Sequence, residues 1–430
     1  MNTATRHRPL VATVAVLAFV AAATAAAAPE PAGPLAPTTP AAVGLSAERL
    51  ARLDSYFAGE IAAGHKAGAV VLVARRGQVA YLKAYGEADV ASHRPMPADA
   101  LFRVHSMTKP ITSVALLTLY EQGKFQLSDP LEKYLPAFKG AKVYKGTGPG
   151  GETELEDAKR PITMEDVFRH TAGFTYGYFG ATPVDRAYRE AGVGYAEAAS
   201  VKELTDKLAT MPLLYQPGTV WHYGFAHDVQ ARLVEVLSGM PFDAYCQKTI
   251  FGPLGMKDTT FGVPPSLKPR FASIYHPDAE GRILAGDGLG GDGDSYARAF
   301  GRPFGGTSVA TTAADYARFA QMLLNGGRLG HVRILSRKTV ELMTQDHLGS
   351  AIAPVWPGEG YGLGVGVITS PAQYRQLSSV GEFRWSGYAT TGMLIDPREQ
   401  LVAVVMAQYQ PEDFAFIEQA TTLIYQSIVD

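Results

Sequence analysis

A serine and a lysine stand three residues apart near the start of a long apolar segment, at Ser106 and Lys109. On an α-helix, side chains three positions apart lie on the same face, so the lysine amine can reach the serine hydroxyl. A serine is a weak nucleophile at neutral pH until a neighbouring base accepts its proton. A lysine whose pKa is shifted by burial or by a second cation can act as that base or can polarise one. The pair therefore predicts a hydrolase that forms an acyl-serine intermediate.

The spacing of this pair is weak evidence by itself. About one or two S-x-x-K segments are expected by chance in a chain of this length, and the sequence contains one. Ser106 is also explained as a residue that caps the start of a solvated helix. The catalytic interpretation therefore depends on motifs elsewhere in the chain.

The composition is that of a folded protein with a large core. The chain has 430 residues, of which 47% are hydrophobic and 19% charged. Its formal net charge is −2 and it has no Lys/Arg run, so electrostatics gives no reason to expect nucleic acid as a partner. The single cysteine, Cys246, cannot form an intrachain disulfide and is predicted to be a buried structural thiol. Neither an H-E-x-x-H motif nor a Cys/His cluster is present, so no metal and no cofactor are predicted.

The N-terminus has the pattern of a targeting signal. Arg6 and Arg8 precede an apolar run over 10–20 and an alanine tract that ends at Ala28, which predicts a signal peptide over 1–28 and a secreted or periplasmic protein. A retained membrane anchor is the alternative, because the run approaches spanning length. Its high alanine content favours cleavage, after which no stable membrane insertion is expected. Residues 29–44 are rich in Pro and Ala and are predicted to be a linker.

The order of predicted elements indicates an α+β domain over 45–430. A helix begins after Ser46, and two apolar runs joined by a short turn, 68–75 and 78–85, form a hairpin. The serine-bearing helix continues to about Gln122. The part from about 125 to 300 is predicted to be mainly helical, with Gly-rich segments at 146–152 and 286–295 and helices at 163–170, 199–210, 225–238 and 241–250. The last third is predicted to contain strands and then a helix, at 361–369, 379–386, 388–396, 400–408 and 411–428. These elements predict an antiparallel sheet flanked by helices, built from both ends of the chain, with an inserted helical lobe.

Four stretches together resemble the serine β-lactamase and penicillin-binding-protein superfamily, and within it the class C β-lactamase-like, family VIII carboxylesterases. The stretches span 102–111, 168–174, 217–228 and 381–388. The resemblance implies the β-lactamase/transpeptidase-like fold. It also implies Ser106 as nucleophile, Lys109 as its partner and Tyr223 as the tyrosine of the Y-x-N motif. Tyr223, as a phenolate or near-phenolate stabilised by Lys109, would then take the serine proton and pass it to the leaving group. The oxyanion donors would be the backbone N–H groups of Ser106 and Tyr388.

Two departures from the family pattern bear on the substrate. Phe225 replaces the asparagine of Y-x-N, and Trp385-Ser386-Gly387 stands where penicillin-active members have K-T/S-G. The first change removes an amide that hydrogen-bonds the lysine and the substrate, and the second removes a cation that would pair with a β-lactam carboxylate. Both favour neutral, apolar acyl esters. Trp385, Gly387, Tyr388 and Phe225 are the predicted substrate-binding residues.

The resulting prediction is an exported serine carboxylesterase whose partner is a small-molecule ester of short to medium acyl length. Three alternatives stay open: a β-lactamase or D-alanyl-D-alanine peptidase, an acyltransferase, and a catalytically silent cell-wall-peptide binding protein. A Ser-His mechanism lacks support, because the chain has no G-x-S-x-G segment and no spacing ties a histidine to a serine. His170 is predicted to cap or pack, and His222 to neighbour Tyr223.

Overall fold

The computed structural model describes Met1, residues 35–286 and residues 301–430. The elements below all belong to one compact unit, Pro31–Asp430. The predicted signal peptide, apart from Met1, and most of the Gly-rich segment 286–295 lie outside the described residues. The described part of the predicted linker contains a short strand and the 3-10 helix Pro40–Val43.

The centre of the described molecule is a nine-stranded sheet in which eight strands follow one path and the ninth pairs with the second of them. All neighbouring pairs are antiparallel except the one made by the first strand of the chain. In order across the sheet the strands are β1 Ala36–Pro37, β3 Gln78–Asp89, β2 Gly68–Arg75, β18 Leu401–Met406, β17 Thr391–Asp396, β16 Phe383–Gly387, β15 Gly366–Ile368 and β14 Glu359–Tyr361, with β4 Arg94–Pro95 on β3.

The middle strands are buried on both faces, which explains their uninterrupted apolar sequences. Every residue of β2 and of β18 is buried. Because successive side chains of a strand point to opposite faces, Val70 and Leu72 join one apolar cluster while Val71 and Val73 join another. Each such side chain contributes about 1.5–3 kcal/mol when it is fully buried. The sheet is therefore the layer between two cores.

Helices cover both faces of this sheet. Those of the described residues are α1 Ala47–Ala62, α2 Thr108–Glu121, α3 Met164–Phe168, α4 Pro183–Glu190, α5 Val201–Ala209, α6 Ala226–Ser238, α7 Phe242–Cys246, α8 Gly252–Leu254, α9 Ala313–Leu324, α10 Arg337–Met343, α11 Pro371–Tyr374 and α12 Phe414–Tyr425. Helices α1 and α12 pack on one face, and α2, α6 and α9 belong to the core of the other. A π-helical turn, Gln247–Phe251, joins α7 to α8. No described helix combines the length and the apolar character needed to cross a bilayer.

In the described part of the chain, nine further strands form four smaller sheets. The three-stranded one has the order β5 Phe102–Arg103, β11 Val309–Thr311 and β8 Thr260–Phe261; the others pair β6 Lys142–Thr147 with β7 Thr153–Asp157, β9 Tyr275–Pro277 with β10 Ile283–Ala285, and β12 Arg328–Leu329 with β13 Val332–Arg333.

The predicted α+β class is confirmed, with the sheet drawn from both ends of the chain and a mainly helical part between them. Two features of that part differ from the prediction. The Gly-rich segment 146–152 contains the end of β6 and the turn of the hairpin β6–β7, whose mostly exposed strands carry no regular apolar alternation that would have revealed them. Helix α4 was not predicted either, although Thr182 and Asp185 form a capping box at its start.

Candidate active site

Ser106 lies in a tight turn immediately before α2. The turn is the 3-10 segment His105–Met107, and His105 has φ +43°, in the left-handed region that non-glycine residues rarely adopt. Such a conformation costs on the order of 1–3 kcal/mol and is typical of functional sites. The Ser106 hydroxyl accepts a hydrogen bond of 2.9 Å from the Lys109 amine. The structure thus brings together the pair that the spacing predicts.

Lys109 is fully buried, and its environment changes its proton affinity. Its Nζ also donates to the Gly306 carbonyl at 2.8 Å and lies 4.6 Å from the centre of the Tyr223 ring. Burial lowers the pKa of the amine to about 7, although attraction to Asp228 and Glu412 opposes the shift. A substantial fraction of the amine is therefore neutral at neutral pH and can accept a proton.

Tyr223 lines the same cavity as Ser106, and its ring packs against His170 and Trp385 at centroid distances of 4.8 and 5.8 Å. Burial raises the pKa of the phenol above its usual value, although interactions with Ser106 and Trp385 oppose the shift. The phenol is therefore neutral at neutral pH. This differs from the expected phenolate, and it makes the Lys109 amine the better base of the two.

The second sequence motif holds Tyr223 in place. The His222 N–H donates to the His170 carbonyl at 2.8 Å. At Gly224 a Cβ atom would lie 2.7 Å from the Phe174 carbonyl oxygen, so only glycine allows the two segments to touch. His170 is fully buried and packs against Tyr223, as the packing alternative for it predicted, while burial lowers its pKa well below the usual value. His222 packs on Tyr215 at 5.2 Å.

The predicted oxyanion donors belong to two backbone segments that are in contact. Tyr388 directly follows β16, and the strand end approaches the serine turn so closely that a Cβ at Gly387 would lie 2.2 Å from the Val104 carbonyl oxygen. The glycine is therefore required for this approach. The donor role of the Ser106 and Tyr388 N–H groups stays a prediction.

The loop 304–308 and Asp228 complete the surroundings of Lys109, and sequence reasoning missed both. Strand β11 follows the loop and pairs with β5, which leads into the serine turn. The Gly306 N–H donates to Asp228 Oδ1 at 3.0 Å, while the Tyr195 hydroxyl donates to Oδ2 at 2.9 Å. A Cβ at Gly306 would lie 2.3 Å from that hydroxyl. In the sequence, the pair Gly305-Gly306 before β11 was the feature that could have indicated this loop.

Asp228 is fully buried at the start of α6. Burial raises the pKa of its carboxyl to about 6, whereas attraction to Lys109 and the Gly306 N–H lower it. Above that value Asp228 is an anion close to the amine, and it favours the protonated form of Lys109. The carboxyl thus moderates the effect of burial on the lysine.

The site opens into a cavity of about 1520 Å³ whose walls include several aromatic side chains. Ser106, Tyr223, Trp385 and Tyr388 are among the residues that line it. Four aromatic side chains at the cavity are strongly exposed, Phe179 by 63%, Trp356 by 58%, Phe414 by 55% and Tyr178 by 48%.

Phe225 and Gly387 do not line this cavity, unlike the other predicted substrate-binding residues. Phe225 is fully buried behind the wall and packs edge-on against Tyr176 at 4.6 Å. The structure thus gives Phe225 a supporting position rather than the predicted contact with substrate. Gly387 acts through its backbone, as described above.

Among the described residues, no group of three or more His, Cys, Asp or Glu side chains is arranged to hold a metal ion. The histidine nearest the nucleophile in sequence, His105, is buried, and its pKa is lowered to about 3 by burial and by Arg103 and Lys109. The hydrogen bond from Lys109 to Ser106 makes the amine, rather than an imidazole, the basic group on the hydroxyl.

Comparison with known proteins places the chain in a family. The family model described as Beta-lactamase matches residues 53–426. Protein Rv1367c of Mycobacterium tuberculosis is 34% identical over 364 residues, which cover 81% of this chain and 88% of the relative. Esterase EstB of Burkholderia gladioli is 31% identical over 375 residues, which cover 83% and 90% of the two chains.

Solved structures show the same fold. EstCE1, described as a hydrolase with promiscuous acyltransferase activity, has a TM-score of 0.75 and 25% identity over 88% of this chain and 99% of its own. The simvastatin synthase LovD of Aspergillus terreus has a TM-score of 0.77 and 24% identity over 88% of this chain and 98% of its own. The chain belongs to the beta-lactamase family. The predicted superfamily and the prediction of a serine hydrolase are confirmed at this level.

Proposed function

We propose that the protein is an exported carboxylesterase that hydrolyses neutral esters of short- to medium-chain acids through an acyl intermediate on Ser106. The observation that carries the proposal is that Ser106 and Tyr223 line one cavity and that the buried Lys109 amine lies against both of them. The name of the relative EstB supports the same activity.

The geometry supports Lys109 as the base and Tyr223 as the proton donor. In acylation, the Lys109 amine accepts the hydroxyl proton while Ser106 Oγ bonds to the ester carbon. The tetrahedral intermediate collapses as the carbon–alkoxy bond breaks, and the leaving oxygen takes the Tyr223 proton, which the Lys109 ammonium replaces. In deacylation, water gives its proton to the same amine and attacks the acyl carbon, and Ser106 Oγ leaves and regains a proton.

The test of this mechanism is covalent labelling. A phosphonate ester that reacts with activated serines is expected to add its mass to the peptide containing Ser106, and Ser106→Ala is expected to abolish labelling and ester hydrolysis together. A series of p-nitrophenyl esters from acetate to palmitate then defines the acyl length. Labelling of another serine, or an active Ser106→Ala variant, contradicts the proposal.

Transfer of the acyl group to an alcohol is a second candidate function. The cavity of about 1520 Å³ exceeds the roughly 300–1,000 Å³ usual for small-molecule sites, and its aromatic walls can hold an apolar acceptor beside the acyl group. The description of EstCE1 includes acyltransferase activity. Product analysis with an added alcohol separates the two functions, since transfer yields a new ester and hydrolysis yields the free acid.

The β-lactamase and silent-binder alternatives are tested on the same protein. Trp385 stands where penicillin-active members have a cation, and the carboxyl of Glu412 also lines the cavity, so this strand position offers a β-lactam carboxylate no cation. Turnover of p-nitrophenyl butyrate with little turnover of nitrocefin supports the esterase. Absence of any turnover supports a binding protein.

Export is proposed from the N-terminal sequence. The basic residues Arg6 and Arg8, followed by the apolar run over 10–20 and the alanine tract, support it. The mass of the protein from the culture fluid or periplasm is expected to correspond to a chain that starts near residue 29. A full-length, membrane-bound form contradicts cleavage.

A further inference from the structure

A short segment next to the nucleophile has no role in the mechanism above. Gln410, Pro411 and Glu412, here the 410–412 segment, connect β18 to α12 and line the same cavity as Ser106. Ser386 of β16 lines that cavity as well.

Two oxygen atoms of the 410–412 segment are buried without a hydrogen-bond partner among the described residues, Gln410 Oε1 and Glu412 Oε1. Gln410 is only 1% exposed, and a 3.0 Å hydrogen bond joins its amide nitrogen to His105 Nε2. That bond leaves the amide oxygen as the unused acceptor. Since buried polar atoms are nearly always paired in folded proteins, two unpaired acceptors on one segment call for a partner from outside the described residues.

The next residue, Asp413, is fixed in place by several contacts. Asp413 accepts a 3.0 Å hydrogen bond from the Phe416 N–H at the start of α12 and pairs with the buried Lys66 at 2.8 Å. Its own N–H donates to the Thr390 hydroxyl at 3.0 Å. Glu412 is thus held between anchored neighbours.

The chemistry of these groups fits a hydroxyl. Burial raises the pKa of Glu412 to about 8, although Ser386 and Lys109 oppose the shift. At neutral pH the carboxyl is therefore mostly protonated and can donate one hydrogen bond as well as accept one. A hydroxyl does both in return, whereas a carboxylate has no hydrogen to offer the two acceptor oxygens.

We infer that the 410–412 segment and Ser386 form a subsite for a hydroxyl group carried by the substrate near its ester bond, and that this subsite disfavours a carboxylate at the same position. The inference rests on the proposed function and specifies its substrate class as hydroxylated esters.

The test compares pairs of esters that differ in one group. Propyl butanoate is paired with 2,3-dihydroxypropyl butanoate, which varies the alcohol part, and ethyl butanoate with ethyl 3-hydroxybutanoate, which varies the acyl part. We expect kcat/KM to favour the hydroxylated ester by about tenfold in one of the two pairs, the effect of one or two well-placed hydrogen bonds. Ethyl 3-aminobutanoate and monoethyl succinate, which carry an ammonium and a carboxylate group, are compared with the hydroxylated esters in the same assay.

Variants at Glu412 separate hydrogen bonding from packing. Glu412→Gln keeps a donor and an acceptor and is expected to retain most of the hydroxyl preference, whereas Glu412→Leu is expected to reduce it to about twofold or less. Gln410→Met is expected to reduce it as well, because it removes the amide oxygen. Glu48→Gln, which removes a charge from the exposed first turn of α1, is the control for long-range electrostatics. Thermal melting of each variant checks folding.

Equal kcat/KM for both members of both pairs, or a hydroxyl preference that survives in Glu412→Leu, overturns the inference while the esterase stands. A larger preference for ammonium than for hydroxyl overturns the assignment to a hydroxyl. If the protein hydrolyses no ester, calorimetric binding of the same pairs to the Ser106→Ala variant decides the subsite separately: tighter binding of the hydroxylated ester supports it, and equal binding overturns it.

Discussion

Helices α1 and α2 belong to the two different cores, one on each side of the sheet, and differ in what they bury. Helix α1 buries three apolar side chains, Leu50, Leu53 and Phe57, and turns its other side to solvent. Helix α2 is buried from Thr108 to Leu119, including its lysine. The first is an amphipathic helix that stabilises the fold by apolar burial. The second keeps a basic amine out of water, which is unfavourable for folding and lowers the pKa of that amine.

The polar groups of α2 are paired one by one. The Thr112 hydroxyl donates to the Gly305 carbonyl at 2.7 Å, and the Ser113 hydroxyl donates to Gln230 Oε1 at 2.9 Å. Lys109 therefore lies among buried polar groups that are hydrogen-bonded. The comparison with α1 leads us to expect that stability depends mainly on α1 and activity on α2. Four experiments test this division.

Removal of the nucleophile is expected to have the largest effect. Ser106→Ala should lower kcat by about 10⁴–10⁶-fold, as in other enzymes with an activated serine, without a loss of thermal stability. Ester turnover and melting temperature measure the two quantities. Ser55→Ala on α1, whose exposed hydroxyl donates to the Ala51 carbonyl within the same helix, is the matched control and should leave both unchanged.

Replacement of the buried amine should separate activity from stability. Lys109→Met combined with Asp228→Asn is expected to lower kcat/KM by about 10³–10⁴-fold while raising the free energy of unfolding by about 1–3 kcal/mol, because the double variant removes both members of a buried charge pair and leaves neither unpaired. Urea titration and ester kinetics measure the two changes. A less stable variant would show that the amine holds α2 in place. Tyr223→Phe should also lower kcat strongly, by loss of the proton donor.

A core substitution on α1 is expected to lower stability without changing kcat. Leu53 is fully buried, and Leu53→Ala should lower the free energy of unfolding by about 2–5 kcal/mol through lost burial and a new cavity. The kcat of the protein that stays folded should not change. Urea titration followed by active-site counting with the phosphonate label distinguishes fewer folded molecules from slower ones. A lower kcat per labelled site would show that packing of α1 affects catalysis at the active site.

The pH dependence provides the finest test. Since the neutral Lys109 amine is the base and its pKa is lowered to about 7, kcat/KM should fall as pH decreases below 7, approaching tenfold per pH unit. Asp228 raises this pKa, so Asp228→Asn should move the acidic limb to lower pH by up to about one unit. The free energy of unfolding should also depend on pH. Between pH 7 and 10.5 the lysine binds a proton in the unfolded chain but not in the folded one, so the free energy of unfolding should rise with pH in this range.

The parts of the site that the sequence predicted depend on local spacing or on motifs. Ser106 and Lys109 are neighbours on one helix turn, and Tyr223 was found through the family resemblance. The partners that were missed are distant in sequence, since the carbonyl that binds Lys109 lies 197 residues away at Gly306. Asp228 is a single carboxyl in a helix and Glu412 one in a short connection, and only the folded chain brings them near Lys109.

Phe225 is a residue whose position in the motif led to a wrong prediction of its contacts. Its position two residues after Tyr223 predicted contact with substrate, but the start of α6 directs it into the aromatic packing behind the wall. The fold was more accessible, because β2 and β18 are continuous apolar runs and Ser46 caps α1 by accepting from the Arg49 N–H at 3.2 Å. The hairpin β6–β7 lacked such a pattern.

The lone cysteine offers an internal probe of a third region. Cys246 ends α7 in the core of the helical lobe, where it is fully buried and burial raises the pKa of its thiol well above the usual value. A thiol reagent should therefore modify it only when the lobe opens. The labelling rate, followed with and without a bound ester analogue, would report whether occupancy of the cavity slows that opening, with no probe introduced into the chain.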